Sequence, residues 1–179
     1  MREMARGIDT KPYLEWLDGV ESVAVSPNTP HGIVATTIAE VFNSAGKGVG
    51  LAISELHLRL NDDSAKRTVL LPDVSFYRTE SFRAIDPADR LLPNVPPEVI
   101  VEVRSPNDRP GFREEKIRRY LAWGCPIVFD VDPLLRSVVV HTCDGARTLG
   151  VGDRFSDPIV PWLSFEVREV FERLELFGF

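Results

Sequence analysis

The stretch Leu71–Lys116 restricts the possible folds of this 179-residue chain more than any other. It opens within LLPDVSFY, which carries Asp73 inside an apolar run, and returns in PEVIVEVRSP, where Glu102 interrupts a second one. Both runs have the β-branched and aromatic composition of buried strands. A helical segment, GFREEKIRRYLAWG, follows and brings Lys116. Ionised carboxylates are rarely buried without a partner. Asp73 and Glu102 therefore each require a metal, a cation or a hydrogen-bond donor.

Around this stretch the chain reads as short alternating elements. Residues 10–17 (TKPYLEWL) predict a helix capped by Thr10, and residues 26–30 (SPNTP) a loop. Val34, Ile38, Val41, Phe42 and Ala45 fall at helical spacing, which predicts an amphipathic helix over His31–Ala45. Leu51–Leu60 and Val69–Tyr77 read as strands of one hairpin, turning through NDDSAK. Arg78–Pro96 is a loop with a helical turn, Val99–Arg104 a buried strand, and Pro110-Gly111 opens a helix that stops at Gly124. Ile127–Val131 and Ser137–His141 form a second hairpin. A short strand and a terminal helix close the chain, with Val167, Val170, Phe171 and Leu174 on one helical face. The order predicts an α/β sandwich, a mixed β-sheet flanked by helices, built as one domain over residues 1–179.

Bulk properties narrow the function. With 44% hydrophobic and 27% charged residues the chain has the composition of a folded globular protein. No apolar run approaches the ~18 residues that suggest a membrane span, and the N-terminal sequence lacks a signal-peptide core. Cys125 and Cys143 have no CxxC neighbour, so neither a disulfide framework nor a structural zinc is indicated. The expectation is a cytoplasmic protein with no membrane partner. A net charge of -6 argues against coating nucleic acid by bulk electrostatics. Between Glu102 and Tyr120, however, six Arg/Lys face four Asp/Glu, a local excess that suits a short contact with phosphate backbone.

The phrases Pro72-Asp73, Glu102-Val103-Arg104 and Glu115-Lys116, in that order, resemble the PD-(D/E)XK nuclease superfamily. LPDVSFY, EVRSPND, EKIRRYLAWG and FDVDP followed by SVVVH are similar more narrowly to the bacterial Uma-two type of restriction-endonuclease-like family, over roughly residues 20–175. The resemblance implies a restriction-endonuclease-like core, DNA as substrate and a Mg²⁺ (or Mn²⁺) cofactor. It implies Asp73 and Glu102 as metal ligands and catalytic residues, with the Val103 carbonyl as a third ligand. The superfamily's usual pattern has Lys two residues after the second acid, where this chain has Arg104. Arginine does not act as a base. The resemblance then implies that Lys116, one helix on, fills that space.

The residues support further candidates. If the first hairpin turns at Ser64, residues whose numbers sum to 128 face each other, which sets Glu55 opposite Asp73 as an added acid. The competing reading is a solvent-facing Glu55. Arg104 shares a strand face with Glu102 and either clamps a phosphate or neutralises that carboxylate. Lys116 lies on one helical stripe with Phe112 and Tyr120, so its stem can pack on rings while its ammonium points inward; otherwise it pairs outward with Glu115 or Asp108. Glu40 falls opposite the apolar stripe of its helix and reads as solvated. His31, His57 and His141 show no zinc-ligand spacing. The apolar face of the terminal helix predicts a homodimer or closes the core. Two rivals stand beside a DNA endonuclease: a catalytically silent module of the same fold that binds nucleic acid or a protein, and a small-molecule phosphohydrolase.

Overall fold

The structure, a computed structural model, describes residues 12–24, 28–61, 63, 65–106, 108–109 and 111–179. Its elements in chain order are β1 (Leu14–Leu17), β2 (Val20–Val23), α1 (Thr29–Ala45), β3 (Gly50–Ser54), β4 (Leu58–Arg59), β5 (Val69–Leu70), β6 (Val74–Arg78) and α2 (Thr79–Ala84). There follow β7 (Val99–Val103), α3 (Phe112–Trp123), β8 (Ile127–Asp132), β9 (Ser137–Thr142), β10 (Gly145–Gly150), β11 (Arg154–Ser156), β12 (Ser164–Glu166) and α4 (Val167–Leu176). A six-stranded mixed sheet of order β10-β9-β8-β7-β6-β3 forms the centre. Only β7 and β8 run parallel in it, with α3 as their crossover. The expected α/β class with a mixed sheet and flanking helices is what the chain adopts.

The central strands explain the layering. In β7 and β8 every residue is buried, and alternation divides their side chains between the two faces. Val99, Val101, Val103, Ile127, Phe129 and Val131 enter an apolar core with Val34, Ile38 and Phe42 of α1 and Val167, Val170, Phe171 and Leu174 of α4. The greasy face of the terminal helix therefore closes this core, and Leu176, Phe177 and Phe179 remain exposed beyond it. On the opposite face Ile100 and Val128 pack with Ile117 and Tyr120 of α3, and with Leu58 and Leu70 of a second sheet ordered β2-β1-β5-β4. Helix α3 stops where expected, at Gly124, whose φ of 108° terminates the helix in the left-handed region that glycine tolerates.

Three expectations need correction. The helix predicted over TKPYLEWL is a strand in its described part, β1, paired antiparallel with β2. Its turn is Asp18-Gly19, with φ of 51° and 82°, the residue pair and positive dihedrals of a two-residue hairpin turn. Thr10, the supposed cap, lies outside the described residues, as do Ser26, Pro27, Ser64 and Pro110. Next, α1 begins at Thr29, because Asn28 caps it by accepting from the His31 N–H at 3.0 Å and Pro30 fits its first turn. Finally, the hairpin expected to be continuous changes sheets midway. Its register does follow the sum of 128, with Gly50 opposite Arg78 in the large sheet and Leu58 opposite Leu70 in the small one. Between them Glu55 takes a φ of 50° and residues 71–73 leave the ladder.

Candidate active site

That break is where the site is built. Leu71 has lost its strand neighbours, so its N–H and C=O need other partners. Glu15 of β1 accepts from Leu71 N at 2.8 Å, and Lys116 Nζ donates to Leu71 O at 3.2 Å. Two residues on, Asp73 turns toward β7. Its Oδ2 accepts from Val103 N at 2.6 Å and its Oδ1 lies 3.1 Å from His31 Nε2. Glu102, near the C-terminal end of β7, lies 2.8 Å (Oε1) and 3.0 Å (Oε2) from Lys116 Nζ, and Tyr120 Oη donates to Oε1 at 2.8 Å. Lys116 also meets Glu15 Oε1 at 2.9 Å. Asp73, Glu102, Val103 and Lys116 line one cleft of about 410 Å³, with Glu15 and His31 beside them.

The electrostatics follow from burial. Glu102 is 6% exposed, and its pKa is pushed up to about 8 by that burial; Asp73 and Glu15 add to the rise and Lys116 opposes it. Lys116 is equally buried, which alone would lower its pKa, but Glu102 and Glu15 outweigh desolvation and raise it. Of the pair, the lysine keeps its charge at neutral pH and the carboxylate is the group that titrates. Burial also pushes Tyr120 well above its ordinary value, so it stays a donor. For His31 burial acts downward, yet the hydrogen bond and charge of Asp73 carry its pKa upward. His31 Nδ1 is buried with no hydrogen-bond partner among the described residues.

The other candidates are located as follows. Glu55 is exposed and lines the cleft; its N–H donates to Asp73 O at 3.2 Å, so the two residues adjoin through backbone. Arg104 neither clamps an open site nor neutralises Glu102. It forks onto Asp130 of β8 through Nε (3.1 Å) and Nη2 (2.9 Å), and reaches Asp132 through Nη1 at 3.3 Å. The cause is register: Asp130 is the parallel partner of Glu102 and shares its face. Arg113 adds a second cation, with Nε 3.2 Å from Asp130 Oδ1. Glu40 pairs with Arg173 of α4, away from the cleft. His57 and His141 lie outside it as well.

The residues that sequence reasoning passed over are Glu15 and His31. The Asp18-Gly19 turn was the signal for Glu15, since a hairpin there makes its segment a strand. For His31 it was the helical stripe, because His31, Val34 and Ile38 are spaced i, i+3, i+7 on the buried face of α1.

Residues 2–168 match the sequence family Uma2, described as "Putative restriction endonuclease". The chain belongs to the Uma2 family. Among curated proteins none matches the sequence. Among solved structures, this Uma2 chain is similar to a crystal structure described as "a putative nuclease belonging to DUF820" from Anabaena variabilis. The TM-score is 0.82 at 18% identity, covering 97% of each chain. At that identity the likeness establishes the fold alone, and it does so over nearly the whole Uma2 chain.

The donor set can be tested against a divalent cation. Asp73 and Glu102 supply the hard oxygens that Mg²⁺ prefers. Among the described residues no three His, Cys, Asp or Glu side chains stand grouped as a ready cage. The two carboxylates with a backbone carbonyl and water fit such an ion in chemistry, with His31 Nε2 and Lys116 Nζ already within hydrogen-bond distance of their oxygens. Among the described residues no helix is long and apolar enough to cross a membrane.

Proposed function

We propose that this Uma2 chain is a Mg²⁺- or Mn²⁺-dependent endonuclease that hydrolyses phosphodiester bonds in DNA, working in the cytoplasm, with the exposed Leu176, Phe177 and Phe179 as the apolar contact of a homodimer. The observation that carries the reading is that Asp73, Glu102 and Lys116, drawn from a strand break, a central strand and a crossover helix, line a single cleft. Asp73 and Glu102, with the Val103 carbonyl, would hold the ion. When bound, it polarises the scissile phosphate and lowers the pKa of the attacking water. Lys116 contributes charge. Its raised pKa keeps it an ammonium, so it stabilises the charge developing on the phosphate and does not serve as the base. His31 fixes the Asp73 carboxylate from the side of α1. Arg104, engaged by Asp130 and Asp132, takes no part in the chemistry.

Cleavage of supercoiled and linear duplex DNA in Mg²⁺ or Mn²⁺ tests this, with Asp73→Asn and Glu102→Gln each expected to lose ~100-fold or more in rate. Wild-type protein inert on DNA but active on a generic phosphodiester would turn the reading to a small-molecule phosphohydrolase. One observation favours the silent-module reading: both Glu102 oxygens are already engaged by Lys116, one also by Tyr120. Under that reading Mn²⁺ calorimetry on the wild type is flat. Light scattering checks the dimer, and a monomer mass at micromolar concentration removes it.

A further inference from the structure

Glu15 has a role that its neighbours define. It is 4% exposed on a four-residue strand, and a buried carboxylate is costly unless it is paired. A single oxygen, Oε1, accepts from Leu71 N at 2.8 Å and lies 2.9 Å from Lys116 Nζ. Lys116 in turn donates to Leu71 O. The Glu15–Lys116 pair thus grips both backbone polar groups of Leu71, two residues before Asp73.

An ammonium has three protons. Those of Lys116 face three groups: Glu15, the Leu71 carbonyl and Glu102. None is left for a phosphate oxygen. For Lys116 to meet a reacting phosphate, one of the three must let go. Glu15 also accepts from the Leu71 N–H, so Glu15 and Leu71 form one closed set of contacts around the Lys116 ammonium. Glu102 is the partner able to exchange Lys116 for another cation, with its Tyr120 hydrogen bond kept.

We propose that Glu15 is a positioning residue that anchors Lys116 in the cleft, so that Glu102 is free to exchange the lysine for a divalent ion. This rests on the metal-dependent reading above. Remove the Glu15 charge and Glu102 is the one acidic side chain left within hydrogen-bond distance of Lys116 among the described residues, which ties up the ligand. Glu15 therefore favours metal binding without touching the metal, and its effect passes through Lys116.

A double-mutant cycle read by Mn²⁺ titration calorimetry tests that route. Glu15→Gln should weaken Mn²⁺ about tenfold, roughly 1.4 kcal/mol. Lys116→Met should bind Mn²⁺ no more weakly than wild type. In the Lys116→Met background, Glu15→Gln should change affinity by less than about threefold, since the competitor it restrains is gone. Circular dichroism establishes that each variant is folded. If Glu15→Gln does not fold, Glu15→Asp replaces it in the cycle; one methylene shorter, it should weaken Mn²⁺ by roughly threefold, and again only with Lys116 present. An equal loss in both backgrounds makes Glu15 a metal ligand and overturns the proposal. Unchanged affinity in both reduces it to a structural ion pair and also overturns it. A wild type that binds no Mn²⁺ overturns the metal-dependent reading and this inference together. Mn²⁺ binding that follows the cycle without DNA cleavage overturns the nuclease reading and supports the role of Glu15.

Discussion

Strands β7 and β8 present two unlike faces to the protein. Toward α1 and α4 their side chains are Val99, Val101, Val103, Ile127, Phe129 and Val131, all apolar and buried in one core cluster. Toward α3 the same strands begin with Ile100 and Val128 and then turn to Glu102, Asp130 and Asp132 at their C-terminal ends. Glu15 and Lys116 join them there, both buried. Burying that many charges costs free energy even when each is paired. The fold tolerates it because the opposite face is buried and apolar. One face supplies stability, and the other is left free to hold chemistry.

The sharpest way to break this division is to damage each face and read both outcomes. Phe129 is 1% exposed and stacks edge-on against Phe155 at 4.9 Å between ring centres. Phe129→Ala should cost about 3–5 kcal/mol in denaturant unfolding, which for a chain of this size lowers Tm by roughly 6–20 °C. Folded protein that remains should keep the wild-type rate of DNA hydrolysis. On the charged face, Lys116→Ala should slow DNA hydrolysis ~100-fold or more, about 2.7 kcal/mol, without weakening Mn²⁺. A silent Lys116→Ala beside a dead Arg104→Ala would make Arg104 the catalytic cation instead. If Phe129→Ala instead abolished turnover in protein that is still folded, the two faces would not be separable.

A third, smaller effect distinguishes the faces by pH. Folded Glu102 holds its proton to about pH 8, against an ordinary carboxylate value of 4.5. The folded state therefore binds more protons than the unfolded one between those values. The stability this contributes is complete below about pH 4.5 and is lost as pH rises through about 8. His31, also raised, acts in the same direction above its ordinary 6.5. The Tm of metal-free protein should fall between pH 5 and 9, and Glu102→Gln should flatten that slope while Phe129→Ala leaves it unchanged. A slope unaltered by Glu102→Gln would place the titrating group elsewhere.

Much of the apolar face was legible from the chain, because an unbroken apolar strand or an i, i+3, i+4 stripe has few other ways to be buried; β10, β11 and β12, the last two bringing Phe155 and Phe165 to it, were read as one short strand. The extent of helix α3 was equally plain, ended by Gly124, while its stripe left Lys116 either inward or paired outward, and the structure turns it inward. On the charged face local pattern gave out sooner. Glu15 sits in a four-residue strand, too short for period two to outweigh the helix-like Thr-Lys-Pro start. The sheet change at Glu55 and at residues 71–73 has a single local signature, Pro72, which has no N–H to give to a ladder, and where the strand resumes depends on what packs against the hairpin. The partners of Arg104 became visible only once β7 and β8 were known to run parallel with Glu102 beside Asp130.

Arg104 also supplies the finest test of the comparison. It stands where the nuclease pattern that the sequence resembles has a lysine, on the charged face, yet its fork is fastened to Asp130 and Asp132. Its side chain is 34% exposed, so solvent screens the pair and the bridge is worth little. Lysine offers one point of charge in place of a planar fork, and loses the two-point grip on Asp130. Arg104→Lys should therefore cost less than about 1 kcal/mol in denaturant unfolding. It should also leave the hydrolysis rate within about threefold of wild type, because the cation that matters comes from α3. A rate raised tenfold would mean that a lysine restored to this strand reaches the reacting phosphate better than Lys116 does. A tenfold fall would mean that the Asp130–Arg104 pair orders the neighbouring Glu102, and the charged face would then work as one connected network instead of a site beside an independent ion pair.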